Sequence, residues 1–383
     1  MMTKRLLSKK IHETSKSILL LGPRQVGKST MLSAAQPDLT INLARENEYL
    51  RYSSDIDLFS DQIESSNAKL VFVDEIQRIP GLLNTIQAMI DESKGKKSIR
   101  FLLSGSSARK LRRGQANLLP GRILSYQMGG LCARELNYKI DIDRALRYGF
   151  LPEPYFEPNR ALCEKLLETY SAVYLREEIQ AEALARNIQG FARFLMVLAA
   201  GSGQILDFSK LAKKAKVPRS SGIRFVEIME DTLIAQRLMV FDEAEAADVI
   251  RHPKLYFFDL GVLNGLLNNF NPSADRKGIL FEHLVYSQIR NSSLAQDVSA
   301  DIRYFRTRHG VEVDFIVTIG GKVWAIEAKV GEGSAQDLGG LKAFRNYFPN
   351  VHRCVLVTPR GKKRKIDGIL ICDWMTLLNE MGL

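Results

Sequence analysis

Cysteine and histidine are scarce in this 383-residue sequence, and long apolar runs are missing. The four cysteines (Cys132, Cys163, Cys354, Cys372) are scattered and form no C-x-x-C pair. That excludes a disulfide-stapled scaffold and reads as reduced thiols in a cytoplasmic protein. Five equally scattered histidines argue against a zinc site. No apolar stretch approaches the roughly 20 residues needed to cross a bilayer, so no membrane partner is expected. Ile18 to Leu21 is too short for a signal-peptide core, which argues against secretion. Internal repeats and low-complexity tracts are also absent. Acidic residues are in deficit: 43 Asp plus Glu face 54 Lys plus Arg, a formal charge of +11. Such a surplus attracts polyanions, and nucleic acid is the usual intracellular one, although a merely basic surface is the plainer account.

What is present is ordinary globular composition, 45% hydrophobic and 25% charged, over a length that suggests two or three domains. Basic residues cluster at Lys94, Lys96, Lys97 and Arg100, at Lys210, Lys213, Lys214, Lys216 and Arg219, and from Arg360 through Lys362, Lys363 and Arg364 to Lys365. Short, nearly all-apolar strands are expected at Ile18 to Leu21, Leu39 to Leu43, Lys69 to Val73 and Ile99 to Leu103, with one more near Ile123 to Gln127. Alternating with helical stretches such as Leu82 to Ile90, they call for a parallel sheet covered on both faces, an αβα core. Gly149 to Pro154 marks the expected end of this first domain, 1–150.

A helical domain follows over 151–250, with helices over Ala161 to Ala185 and Phe191 to Ala200. A short helix (Asp207 to Ala215), a turn (Val217 to Gly222) and a longer helix (Ile223 to Gln236) would then share an apolar seam of Leu211, Val217, Phe225, Ile228, Met229 and Leu233. With an extended Arg237 to Phe241 beyond them, this segment reads as winged-helix-like. The last region, 251–383, combines a helix from Leu280 to Arg290 with strands at Ile302 to Arg308, Val311 to Ile319, Lys322 to Val330 and Val351 to Thr358. The Gly320-Gly321 pair signals a hairpin.

The loop from Gly22 through Pro23, Arg24, Gln25, Val26, Gly27, Lys28 and Ser29 to Thr30 has the spacing of a phosphate-cradling loop between a strand and a helix. Its glycines let backbone N–H groups converge on phosphate oxygens. Lys28 would reach the β- and γ-phosphates of ATP, and the Ser29 hydroxyl would hold Mg²⁺. Asp74, ending an apolar strand, completes the magnesium site, and Glu75 is positioned to deprotonate the attacking water. Ser104, at the end of the next strand, would contact the γ-phosphate or cap a helix. Arg109, Arg112, Arg113 and Arg122 are candidate arginine fingers, which would require a homo-oligomer, although a solvated basic helix is the safer account of most of them. A nucleotide kinase shares the loop, but the remaining chain is a basic helical domain and a second sheet rather than a dedicated acceptor site.

A second constellation lies in the last region. Glu327 and Lys329 are two apart on one strand and share a face, and Asp314 lies on the preceding strand. With Glu282 approaching from the upstream helix, these carboxylates would bind Mg²⁺ while the lysine steadies the nucleophile or the developing charge. A solvated strand face with complementary charges is the alternative, but carboxylates set among Val313, Phe315, Ile316 and Ile326 need a partner or a metal.

Leu20 to Thr30, Val73-Asp-Glu-Ile-Gln77 and Leu103 to Ala108 together resemble the AAA-type ATPases of bacteria and archaea whose C-terminal half is a domain of unknown function. Tyr256 to Gly261, Gly278 to Val285, Tyr304 to Arg308, Glu312 to Ile316 and Ile326 to Lys329 resemble that second domain. The resemblance implies an α/β architecture with a P-loop core, a winged-helix-like middle and a C-terminal restriction-endonuclease-like fold of the PD-(D/E)xK class. It implies Glu282, Asp314 and Glu327 as metal ligands and Lys329 as the catalytic lysine. The expected function is Mg²⁺-dependent ATP hydrolysis coupled to DNA, with a nuclease domain. The alternative is a nucleotide switch that binds DNA or protein without cutting.

Overall fold

A computed structural model describes residues 3–93, 98–106, 121–174, 187–243 and 249–383. Lys94, Lys96, Lys97, Arg109, Arg112 and Arg113 fall outside the described residues, as does the second half of the helix expected to reach Ala185. The chain forms two compact units, residues 1–129 with 231–233, and residues 130–230 with 234–383.

The first unit is built on five strands: β1 (Ser17–Leu21), β2 (Leu39–Asn42), β3 (Leu70–Asp74), β4 (Arg100–Gly105) and β5 (Ile123–Gln127). They form one sheet in the order β2-β3-β4-β1-β5, with every pairing parallel. All five residues of β1 are buried, as expected of a central strand covered on both faces. Leu19, Leu21, Val71, Val73, Phe101 and Leu103 pack on one face against the helices Asp57–Ser66 and Leu82–Glu92 through Phe59, Ile63, Leu82 and Ile86. Ile18, Leu20, Phe72 and Leu102 are equally buried on the other. Because β1, β4 and β3 are neighbours in register, the loops leaving their carboxyl ends gather at one edge, where α/β sheets place ligands.

The second unit holds a mixed sheet of six strands: β8 (Ala300–Arg306), β9 (Glu312–Ile319), β10 (Lys322–Ala328), β11 (Arg353–Thr358), β12 (Arg364–Ile366) and β13 (Ile369–Asp373). Its order is β12-β13-β11-β10-β9-β8. Strands β9 and β10 pair antiparallel across Gly320-Gly321, both at positive φ, whereas β10-β11 and β11-β13 are parallel. Phe315, Val317, Trp324, Ile326, Val355 and Val357 pack on one face with the long helix Ala274–Gln296 and the helix Trp374–Met381. Val313, Ile316, Ala325, Cys354 and Leu356 pack on the other with Gly339–Tyr347. Residues 131–150, assigned by the sequence to the first domain, bury Leu131, Ala145, Leu146 and Phe150 in this second core. All four cysteines are buried and free.

The same unit contains a pair of antiparallel strands, β6 (Ala235–Leu238) and β7 (Lys254–Phe257), and the helices Ile188–Ala200, Phe208–Ala215 and Arg219–Asp231. The last helix corrects the sequence reading. It begins at Arg219, inside the expected turn, and ends at Asp231, so Ala235 and Gln236 are strand rather than helix, while Arg237 and Leu238 are extended as expected. The Gly222 N–H bonds the Pro218 carbonyl at 3.1 Å, and a Cβ on Gly222 would lie 2.9 Å from the Phe194 ring. The glycine is therefore a close-packing residue within a helix, not a turn. Phe225, Ile228 and Met229 are buried as the expected seam requires. Among the described residues, no helix is long and apolar enough to cross a membrane.

Candidate functional site

The nucleotide loop leaves β1 at Gly22 and enters the helix Lys28–Ser33. Gln25 (φ 61°) and Gly27 (φ 95°) both adopt left-handed backbone, which curls the loop on itself. A Cβ on Gly22 would collide with the Met128 carbonyl. Lys28 is 5% exposed, and its Nζ donates to the carbonyls of Gly22 and Pro23, each at 2.8 Å. The amine thus sits inside the hollow where phosphates are expected. Val26 is buried in the core, Arg24 is half-buried, and Thr30 is exposed.

Ser29 Oγ donates to Asp74 Oδ1 at 2.9 Å, and Ser104 Oγ donates to the same oxygen. The Ser104 hydroxyl also accepts from the Glu75 N–H at 3.2 Å. Ser104 lies within β4, and its hydroxyl ties β3 to that strand. Glu75 holds a left-handed backbone (φ 59°), and its Oε2 accepts from Gln77 Nε2, which also donates to Ser106 Oγ at 2.9 Å. A hydroxyl and a carboxylate converging beside a buried lysine form the hard-oxygen donor set that Mg²⁺ takes. Arg122 is committed to Asp91, with Nη2 2.7 Å from Oδ2.

Arg5 was not singled out by sequence. It donates to the carbonyls of Val26 (2.6 Å) and Gly129 (2.9 Å), pinning the loop from below. A basic N-terminal segment gives no signal for such a role, because its arginine looks like any solvated one.

In the second unit, Asp314 sits where the β8–β9 register slips: Arg303 pairs with Ile316, but Phe305 pairs with Val313. This bulge inserts an extra residue into β9 and re-aims the side chain. The β9–β10 ladder ends at Phe315–Ile326, and beyond it Asp314 Oδ2 accepts the Ala328 N–H at 2.9 Å. Glu327 Oε1 lies 2.8 Å from Lys329 Nζ, while Glu327 Oε2 is buried with no hydrogen-bond partner. Burial, then the charges of Glu282 and Glu327, push the Asp314 carboxyl well above its usual range. Burial also raises Glu327, against the opposing pull of Lys329. The three carboxylates therefore share one electrostatic neighbourhood.

Glu282 is occupied. Lys254 Nζ lies 3.3 Å from its Oε1 and 2.9 Å from Glu312 Oε1, and the Tyr256 hydroxyl donates to Glu282 Oε1. Lys254 is 4% exposed; burial lowers its pKa, but Glu282, Asp314 and Glu312 outweigh that and hold it above the usual lysine value. Among the described residues, no group of three or more Asp, Glu, His or Cys side chains is arranged to hold a metal ion. The orphaned Glu327 Oε2 and the desolvated Asp314 fit a cation, whereas Glu282 already has one in Lys254. Sequence reading missed Lys254, whose strand offers no signal beyond one lysine among apolar residues.

Residues 14–137 match an AAA domain, residues 139–273 a domain of unknown function (DUF8612), and residues 277–377 another domain of unknown function (DUF4143). The uncharacterized protein Rv2008c of Mycobacterium tuberculosis and its counterpart Mb2031c of Mycobacterium bovis are each 24% identical over 319 residues, covering 82% of this chain and 70% of theirs. Among solved structures, a replication initiator DnaA bound to AMPPCP and single-stranded DNA is similar at 12% identity and TM-score 0.28, over 58% of this chain and 85% of that one. A type III CRISPR defence DNA nuclease activated by cyclic oligoadenylate is similar at 13% identity and TM-score 0.21, over 96% of this chain and 51% of that one. Likenesses this distant carry no functional argument. The family match and the loop geometry together give the chain an N-terminal AAA-type P-loop ATPase domain.

Proposed function

We propose that this chain binds ATP with Mg²⁺, hydrolyses it and engages DNA, with a metal-dependent nuclease centre in its C-terminal unit. The observation that carries the ATPase reading is the convergence of Lys28, Ser29, Asp74, Ser104 and Glu75 on one sheet edge. Lys28 would exchange its two loop carbonyls for phosphate oxygens, and Ser29 with Asp74 would hold the cation. When bound, Mg²⁺ would neutralise charge developing on the phosphates. Glu75, oriented by Gln77, would accept the proton of the attacking water.

On the DNA side, the exposed Lys210, Lys213 and Lys214 lie on the helix Phe208–Ala215, which with the helix Arg219–Asp231 and the β6–β7 pair would make a winged-helix-like DNA-binding unit. In a PD-(D/E)xK-like site, Asp314 and Glu327 would hold the cation and Lys329 would steady the nucleophile. The placement of Asp314 at a bulge beside the orphaned Glu327 oxygen supports this reading.

A second reading, a nucleotide switch without nuclease activity, is favoured by one observation: Lys254 and Tyr256 already hold Glu282. ATP hydrolysis and cleavage of plasmid, linear duplex and single-stranded DNA, measured together, separate the two. Glu75→Gln should abolish ATP turnover with ATP binding retained, and Asp314→Ala should abolish Mg²⁺-dependent cutting with turnover intact. Turnover by the unaltered chain with no cutting of any DNA would sink the nuclease assignment and leave the switch.

A further inference from the structure

A cavity of about 510 Å³ opens in the second unit where the chain beyond β6 meets β8. Phe241 N–H donates to the Tyr304 carbonyl at 2.7 Å and Tyr304 N–H to the Met239 carbonyl at 3.1 Å, so residues 239–241 join the sheet edge, and Met239 and Val240 wall the cavity. Four arginines (Arg237, Arg251, Arg290, Arg303) and two aspartates (Asp242, Asp301) line it. Their pairing is uneven. Arg237 is spent on Glu230, with Nη2 2.5 Å from Oε2. Arg303 is shared between Asp301 (2.8 Å) and Asp242 (3.3 Å). Arg251 is exposed and Arg290 half-buried, and among the described residues neither guanidinium has a hydrogen-bond or ion-pair partner. Among the described residues, these are the two cavity arginines not paired with an acid.

Beside Gln236 and the buried Tyr286, whose hydroxyl donates to Gln236 Oε1 at 3.2 Å, the rest of the lining is apolar and includes Ile302 and Met239, which is 52% exposed. A cavity of this size, apolar on one side and carrying unspent planar guanidinium forks on the other, has the make-up of a small-molecule or nucleotide pocket.

We propose that this cavity binds the phosphate of a nucleotide unit, through Arg251 and Arg290, with the unit's sugar or base against Met239 and Ile302. The nucleotide unit is either free or part of a nucleic-acid strand. Arg290 lies eight residues beyond Glu282 on the same helix, about 12 Å along its axis, with Tyr286 between them on the same side. A strand seated in the pocket would thus lie within a few nucleotides of the carboxylates. The proposal deepens the nucleic-acid reading above but does not depend on cleavage.

The test is binding by the full-length chain carrying Lys28→Ala, which silences the nucleotide loop. The probes are AMP and a fluorescein-labelled tetradeoxyadenylate at low salt. Arg251→Glu with Arg290→Glu should weaken binding at least tenfold, whereas Lys362→Glu, an exposed lysine elsewhere in the same unit, should change it less than threefold. AMP that binds and competes with the oligonucleotide identifies a free nucleotide as the ligand; oligonucleotide binding that AMP does not displace identifies a strand. If the double variant does not fold, Arg251→Glu alone carries the test, since that side chain is exposed. Failure of both probes to bind, or equal loss in the Lys362 variant, overturns the pocket. Duplex binding that is lost on replacing Lys210 and Lys213 would in that case leave the broader DNA reading standing.

Discussion

Lys254 shows how much one side chain can decide. It is a single cation against Glu282 and Glu312, nearly out of contact with water, with the Tyr304 ring 5.4 Å from its Nζ. Removing one partner of a buried ion pair leaves uncompensated charge, which typically costs more than the pair itself contributes. Lys254→Met is therefore expected to destabilise the protein by about 3 kcal/mol in urea denaturation. A change below about 1 kcal/mol would mean that water or a rearranged neighbour solvates the two glutamates. Gly22 makes the matching case in the first unit. Because the Met128 carbonyl occupies the space of a Cβ, Gly22→Ala should displace the loop and cut ATP affinity at least tenfold in a nucleotide titration, while the sheet still folds.

Between elements, the joint of the long helix Ala274–Gln296 with β7 is made partly by His283. Its ring lies 2.6 Å from the Phe257 carbonyl through Nε2, while Nδ1 is buried without a partner. Burial lowers this imidazole to about 4. The sign follows directly: the unfolded chain takes up a proton near pH 6.5 that the folded chain refuses until about 4, so stability falls as pH drops through that window. The full effect is about 3 kcal/mol. Buried Asp259, raised to about 6 by desolvation, works in the opposite direction: its contribution is present at low pH and is lost as pH rises through about 6. The unfolding free energy of His283→Gln, measured from pH 7 to 4, should lack the histidine part of the slope. An unchanged slope would show that the ring is not kept neutral by burial.

At the scale of the whole molecule, the +11 charge is the dominant long-range feature. Its clusters are not equivalent. Arg364 and Lys365 lie on β12, the edge strand of the mixed sheet, where charge discourages edge-to-edge pairing; Lys363 is paired with Glu380. Lys213 and Lys214 are exposed, and the described residues offer neither an acid partner, so they remain free for phosphates. DNA affinity measured across salt concentrations should fall linearly on a log–log plot. Replacing Lys210, Lys213 and Lys214 with alanine should flatten the slope by about 2 to 3, in proportion to the number of phosphates these lysines neutralise. An unaltered slope would place the interface elsewhere.

Local pattern was enough to locate the nucleotide loop, the parallel strands of the first unit and the Gly320-Gly321 hairpin, because each depends on residues adjacent in the chain. An all-apolar strand, a glycine-lysine-serine turn and a double glycine carry their conformations with them. The same holds for Asp74 and Glu75, which need only the end of a strand. The cation that Glu282 meets, the bulge that turns Asp314 and the arginine that pins the loop from the N-terminus are not written locally. Each joins positions 28 to 124 residues apart, or depends on a register slip that no spacing reveals. The helix over Arg219–Asp231 departs from the sequence reading for the same reason: Gly222 is a turn signal in isolation and a packing requirement once Phe194 lies across it. Pairing, register and burial arise only when distant segments share a core, and these decide which charges meet and which are left for a ligand.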